Sequence, residues 1–119
     1  MELIKMGEKE EIVNAAMEII IHAGDARLFT HKALGAIAED DYQKASENLA
    51  SAKNELVEAH KVHTMMIQSA ARGIDFEYSL LFTHAQDTLM TINSEVTLTR
   101  ELLKVFEYLS ARIAKLENQ

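Results

Sequence analysis

Along the first third of the chain, Ile12, Ala16, Ile19, Ala23, Ala26, Thr30, Ala33 and Ile37 recur at alternating spacings of four and three. That is the period of a helix burying a single stripe. A second set, Ala45, Leu49, Ala52, Leu56, Ala59, His63, Met66 and Ala70, repeats the pattern. Both stripes are rich in small residues, so the two backbones can approach closely. The pattern breaks at "AEDDY" (38–42) and at "ARGIDF" (71–76), where Gly73 suits the position just past a helix end and Asp75 suits an N-cap. The spacing predicts helices over 8–38, 41–72 and 76–116. About thirty residues of helix span roughly 45 Å, and short connections make neighbours antiparallel. The expected fold is all-α, an up-down-up three-helix bundle forming one domain over residues 1–119.

The third helix carries two stripes instead of one. Ala85, Leu89, Ile92, Val96, Thr99, Leu103, Phe106, Ser110 and Ile113 form the first. Leu81, His84, Thr88, Thr91, Glu95, Leu98, Leu102, Val105, Leu109, Arg112 and Leu116 form the second. One stripe suffices for a monomeric bundle. The second would leave Leu98, Leu102, Val105 and Leu109 in water, and an exposed apolar stripe of that kind marks an interface. Self-association through the third helix is therefore expected.

Composition narrows the function. The 119 residues include no proline and no cysteine, so long uninterrupted helices are allowed and both disulfides and thiolate zinc sites are excluded. The formal net charge is −7, from 12 Lys and Arg against 19 Asp and Glu, and no basic cluster exists to neutralise phosphates, which argues against nucleic acid. The N-terminal "MELIKMGEKEE" lacks the apolar core of a signal peptide, and no window approaches the roughly eighteen uncharged apolar residues of a membrane span. A cytoplasmic location is expected. The acidic runs "GEKEEI" and "AEDD" read as solvated helix starts, where carboxylates are favoured.

Candidate chemistry lies in "LLFTHAQDTLM", residues 80–90, where polar side chains interrupt an otherwise apolar run. His84 and Thr88 are i, i+4 neighbours on the second stripe, and Asp87 is i+3 from His84. If third helices pack on one another, Asp87 meets its symmetry mates. Each carboxylate pair at about 4 Å repels by roughly 4 kcal/mol at an effective dielectric near 20. Such a cluster needs protons or a bound cation, and hard oxygen donors suit Mg²⁺ or Ca²⁺. Spacing alone leaves a second reading open, a non-catalytic helical oligomer acting as scaffold or regulator, in which the polar cluster only fixes register. A metal-storage bundle is a weaker third, since Glu-x-x-His pairs are lacking.

Taken with "IIIHAGDAR" (19–27), "EAHKVHTMMIQ" (58–68) and "QSAARG" (68–73), the 80–90 segment resembles the IIA component of the bacterial sugar phosphotransferase system, of the lactose/cellobiose (N,N′-diacetylchitobiose) type. The resemblance runs in order over nearly the whole chain. It implies a cytoplasmic homotrimer of three-helix bundles. In that reading His84 accepts a phosphoryl group from the histidine-containing phosphocarrier protein and passes it to a cysteine of the IIB component, in support of disaccharide uptake. Gln86 and Thr88 would be supporting residues. Asp87 would lie near the threefold axis and share a divalent cation, expected to be Mg²⁺, with the same residue of two other subunits. Free histidine titrates near pH 6.5, so a neutral nucleophilic imidazole is available in the cytosol. Phosphoryl transfer asks mainly for in-line positioning and charge stabilisation. An apolar rim of Phe82, Leu89, Met90 and Met65 or Met66 would let two different partners dock in turn.

Four positions depart from the family pattern: Thr88 where a histidine follows the aspartate, Leu28 for a serine, His63 for a glutamine and Ala70 for a glutamate. His60 and His63, spaced i, i+3, lack a matching carboxylate and read as packing residues, with His63 able to make a polar pair across the core. His22 and His31 read as surface or interface residues. Arg27 reads as structural, pairing with Asp25, a local carboxylate, or helping to hold the trimer.

Overall fold

The computed structural model describes residues 2–73 and 79–119, with side chains described at residue 7 and from residue 9 onward within those ranges. Three helices follow one another: α1 (Glu2–Ala38), α2 (Tyr42–Ala71) and α3 (Leu80–Glu117). Both α1 and α3 pack along α2 and along each other, giving the antiparallel up-down-up bundle expected from the spacing. The expected bounds of α2 and the C-terminal ends agree within about two residues. Two starts differ. α1 begins at Glu2, so "GEKEE" lies within the helix and not at its start; α3 begins at Leu80, not 76. Asp75 lies outside the described residues, and the cap of α3 is Ser79, whose side chain accepts from the Phe82 N–H at 3.1 Å.

The turn between α1 and α2 is tight because its backbone groups are satisfied locally. Asp40 adopts φ 59°, while the Asp40 and Asp41 N–H groups return to the Ile37 and Ala36 carbonyls at 3.0 and 2.9 Å. This is a Schellman closure with aspartate in the left-handed position that glycine usually takes. Asp41 then caps α2 by accepting from the Lys44 N–H at 3.1 Å. At the far end of α2, Gly73 follows the C-cap Arg72 with φ 89°, as its sequence position implies.

The core is the two alternating stripes together with the first stripe of α3. All eight α1 positions from Ile12 to Ile37 are buried, and so are Ala45, Leu49, Ala52, Leu56, Ala59 and Met66 of α2. His63 is half-buried and Ala70 is exposed, so the α2 stripe runs out at its end. Thr30 and Thr99 are buried without penalty, because each hydroxyl donates to the carbonyl one turn back, of Ala26 and Glu95, at 2.7 Å.

On α3, burial stops at Leu103. Phe106 and Ile113 of the first stripe are exposed and Ser110 is half-buried, in contrast to the sequence expectation. The reason is length. The molecule measures 77 × 20 × 19 Å, well beyond the span of one thirty-residue helix, and the last turns of α3 outrun their partners. Val105, Phe106, Tyr108, Leu109, Ile113 and Leu116 consequently face solvent on more than one side of the same helix.

Candidate functional site

The first turns of α3 hold the polar cluster, and their caps fix its geometry. Ser79 binds the Phe82 N–H, and the Thr83 hydroxyl donates to the Ser79 carbonyl at 3.0 Å. Phe82 and Leu81 are thereby turned onto the core, where both are half-buried. His84, one residue ahead of the fully buried Ala85, is left exposed. A helical side chain leans toward its own N-terminus, so the ring overlies the first turns of α3, the positive end of its dipole.

Four sequence-nominated residues divide into two groups. His84, Asp87 and Thr88 share the outward side of α3, with His84 and Asp87 both exposed. The Thr88 hydroxyl donates to the His84 carbonyl oxygen at 2.8 Å, so it braces the helix under His84 and does not donate to the ring. Gln86 is elsewhere. Residues i and i+2 of a helix do not face each other, and Gln86 turns toward α2, where its Oε1 lies 2.7 Å from His63 Nε2. The His63 ring stacks on Phe82 with centroids 6.1 Å apart and planes 11° from parallel. The polar pair that His63 could make is therefore with α3, immediately behind the candidate site.

Of the proposed apolar rim, Met65 (66% exposed) and Met90 (45%) are available to a visitor, and Phe82 is half-buried. Leu89 and Met66 are not. Leu89 is fully buried in the main core, and Met66 packs with Ile12 and Ala15 in a smaller cluster beneath Phe82. Both stand on their helices' buried stripes, and that decides their direction.

Two interhelical pairs were hidden from sequence reading. Arg27 makes a bidentate ion pair with Glu95 of α3, at 3.1 Å from Nε and 3.0 Å from Nη2. His22 Nδ1 donates to Glu55 Oε2 of α2 at 2.8 Å. Arg27 thus chooses neither Asp25 nor any near-sequence carboxylate, and only the register between helices could have revealed its partner. His31 is exposed, as expected.

Among the described residues, no group of three His, Cys, Asp or Glu side chains is assembled to hold a metal. A hard divalent cation takes about six or more oxygen ligands, and at Asp87 one protomer offers a single exposed carboxylate. The donor chemistry suits Mg²⁺, yet a protein ligand set for it arises only if copies of Asp87 converge. No helix among the described residues is long and apolar enough to cross a membrane.

A helical bundle of this connectivity has close parallels. The sequence profile of the phosphotransferase system lactose/cellobiose-specific IIA subunit matches residues 14–107. The chain belongs to this family. It is 34% identical over 114 residues to the lactose-specific EIIA component of Lacticaseibacillus casei, covering 96% of this chain and 98% of that one. It is likewise 34% identical over 98 residues to the lichenan-specific phosphotransferase enzyme IIA component of Bacillus subtilis, covering 82% and 89%. Among solved structures, PtcA from S. mutans superposes with a TM-score of 0.81 at 36% identity, over 82% of this chain and 96% of that one. The cellobiose-specific enzyme IIA of Bacillus anthracis gives 0.79 at 35% identity, over 82% and 90%. This IIA component is a phosphoryl carrier of sugar uptake of the lactose/cellobiose type. The scaffold reading is not favoured.

Proposed function

We propose that His84 is the residue that carries the phosphoryl group. The observation that carries this reading is the exposed ring of His84 within "LLFTHAQDTLM", held on a capped and buried helix where a docking protein can reach it. A ring nitrogen with a free lone pair bonds to phosphorus as the donor's N–P bond breaks. Later a thiolate of the acceptor bonds to phosphorus as the N–P bond at His84 breaks. The donor is the histidine-containing phosphocarrier protein, the acceptor is the cysteine of a IIB component, and the sugar is of the lactose, cellobiose or chitobiose class. The setting is the cytoplasm. The positive end of α3 favours an anion over the first turns by about 0.3–1 kcal/mol, which helps to hold the phosphoryl group without trapping it.

The working form is a homotrimer joined through α3. Leu98, Leu102, Val105 and Leu109 recur at the three-and-four spacing of a coiled-coil seam with Leu116 seven residues on, and apart from the half-buried Leu102 this stripe is exposed in the protomer: Leu98 is 61% and Leu116 70% exposed. Asp87 lies on the outward side of the same helix. Three copies brought to one axis would hold Mg²⁺ through their carboxylates, and the ion would neutralise charge there.

The test is direct. Incubation with phosphoenolpyruvate, the system's first enzyme and the histidine phosphocarrier should add one phosphoryl group, stable in base and labile in acid. His84→Ala should abolish the gain. Phosphate retained in that variant, or placed on another histidine by mass spectrometry, would overturn the assignment.

A further inference from the structure

Behind the candidate site, a second histidine has a fixed partner that the phosphoryl chemistry has not yet used. His63 projects from α2 and is half-buried. Its ring plane is set by stacking on Phe82, and Phe82 is set in turn by the Ser79 cap and by packing against both apolar clusters. The Nε2 of this held ring lies 2.7 Å from Gln86 Oε1. Because the acceptor is a carbonyl oxygen, Nε2 must carry the proton. A carboxamide has one accepting and one donating end. With Oε1 committed to His63, the Gln86 NH₂ is left as a pair of N–H donors for another acceptor.

We propose that His63 is a positioning residue for phosphoryl transfer: it fixes the Gln86 carboxamide so that its NH₂ end is presented to phosphoryl oxygens. A freely rotating carboxamide would offer its oxygen, which repels a phosphoryl anion, as readily as its nitrogen. The bond from His63 removes that ambiguity and lowers the ordering cost of the donor. Gln86 and His84 lie on opposite sides of α3, so the phosphoryl group concerned is the one on His84 of an adjacent copy. The inference therefore rests on the trimeric phosphocarrier reading above.

Single-turnover transfer from the phosphorylated histidine phosphocarrier, measured on the full-length protein, tests it. His63→Leu keeps the bulk against Phe82 but has no N–H, and should slow phosphorylation of His84 about tenfold. His63→Gln can still donate to Gln86 Oε1 and should stay within about twofold of wild type. In a Gln86→Leu background, His63→Leu should have no further effect. Thermal melts establish that each variant is folded. A His63→Leu variant transferring at the wild-type rate overturns the proposal, as does an equal loss from His63→Leu with and without Gln86. Nitrogen-detected NMR supplies a readout independent of transfer: His63 should be the Nε2–H tautomer, and the Gln86 side-chain amide signals should move in His63→Leu. An Nδ1–H tautomer overturns the inference even if transfer is normal. Wild-type protein that gains no phosphate overturns the phosphocarrier reading and this one with it; a phosphorylated wild type with an unaltered His63→Leu variant overturns only the role of His63.

Discussion

Thr88 and Gln86 flank His84 in the chain, yet neither turns a donor toward its ring. One hydroxyl is bonded to backbone and one carboxamide to a residue on α2. Asp87 is an exposed polar neighbour at helical spacing, and where no cation neutralises it its carboxylate would raise the energy of a phosphoryl dianion on His84. Asp87→Leu should lengthen the lifetime of phospho-His84 by about two- to fivefold, in line with roughly 1 kcal/mol between charges about 4 Å apart in water. Phosphorus NMR of the decaying phosphoprotein measures this, and an unchanged lifetime would remove Asp87 from the mechanism. Buried residues behave differently. Leu89, two residues past Asp87, is fully enclosed, so Leu89→Ala should cost about 2–5 kcal/mol in urea unfolding and act on transfer only through the fold.

The helices are specified mostly by their stripes and only locally by their ends. Asp40 at φ 59° and Asp41 at the α2 cap together close the first turn. Asp41→Ala should lose about 1 kcal/mol of stability, since the Lys44 N–H would then lack its acceptor. Asp40→Val should cost about 1–2 kcal/mol, because a β-branched residue resists the left-handed region, whereas Asp40→Gly should be nearly neutral. Chemical denaturation distinguishes these outcomes. The alternation of apolar spacings was sufficient to place α2 and the buried face of α1, but not the α1 start, which lies six residues before the expected residue 8. It misjudged the start of α3, because Ser79 is as good a cap as Asp75 and nothing local ranks them.

At the scale of the whole molecule, the tail of α3 is the main feature the bundle leaves unsatisfied. Beyond Leu103 no residue of the helix is fully buried among the described residues, and apolar side chains cover several of its faces. One stripe would suit a simple seam. A helix bare on two stripes suits a position among copies of itself. If the proposed trimer joins through α3, Val105→Glu combined with Leu109→Glu should give monomers in sedimentation velocity while leaving the helical signal intact; an unaltered sedimentation coefficient would place the interface elsewhere. Under the inference drawn for His63, such a variant should also lose transfer rate, because Gln86 would no longer be brought to His84 of a second copy.

The periodic spacing of apolar residues was enough, by itself, to determine three helices, their antiparallel order, the buried positions along α1 and most of those along α2, and the surplus stripe on α3. The string around His84 was enough to nominate the chemistry. Pairings across helices were decided by the tertiary structure alone: Arg27 with Glu95, His22 with Glu55, His63 with Gln86. The reason is physical. Burial of a stripe is set by local periodicity, which the chain carries in its own order. Which polar side chains meet depends on the axial offset between packed helices, a quantity fixed only when all three helices interlock.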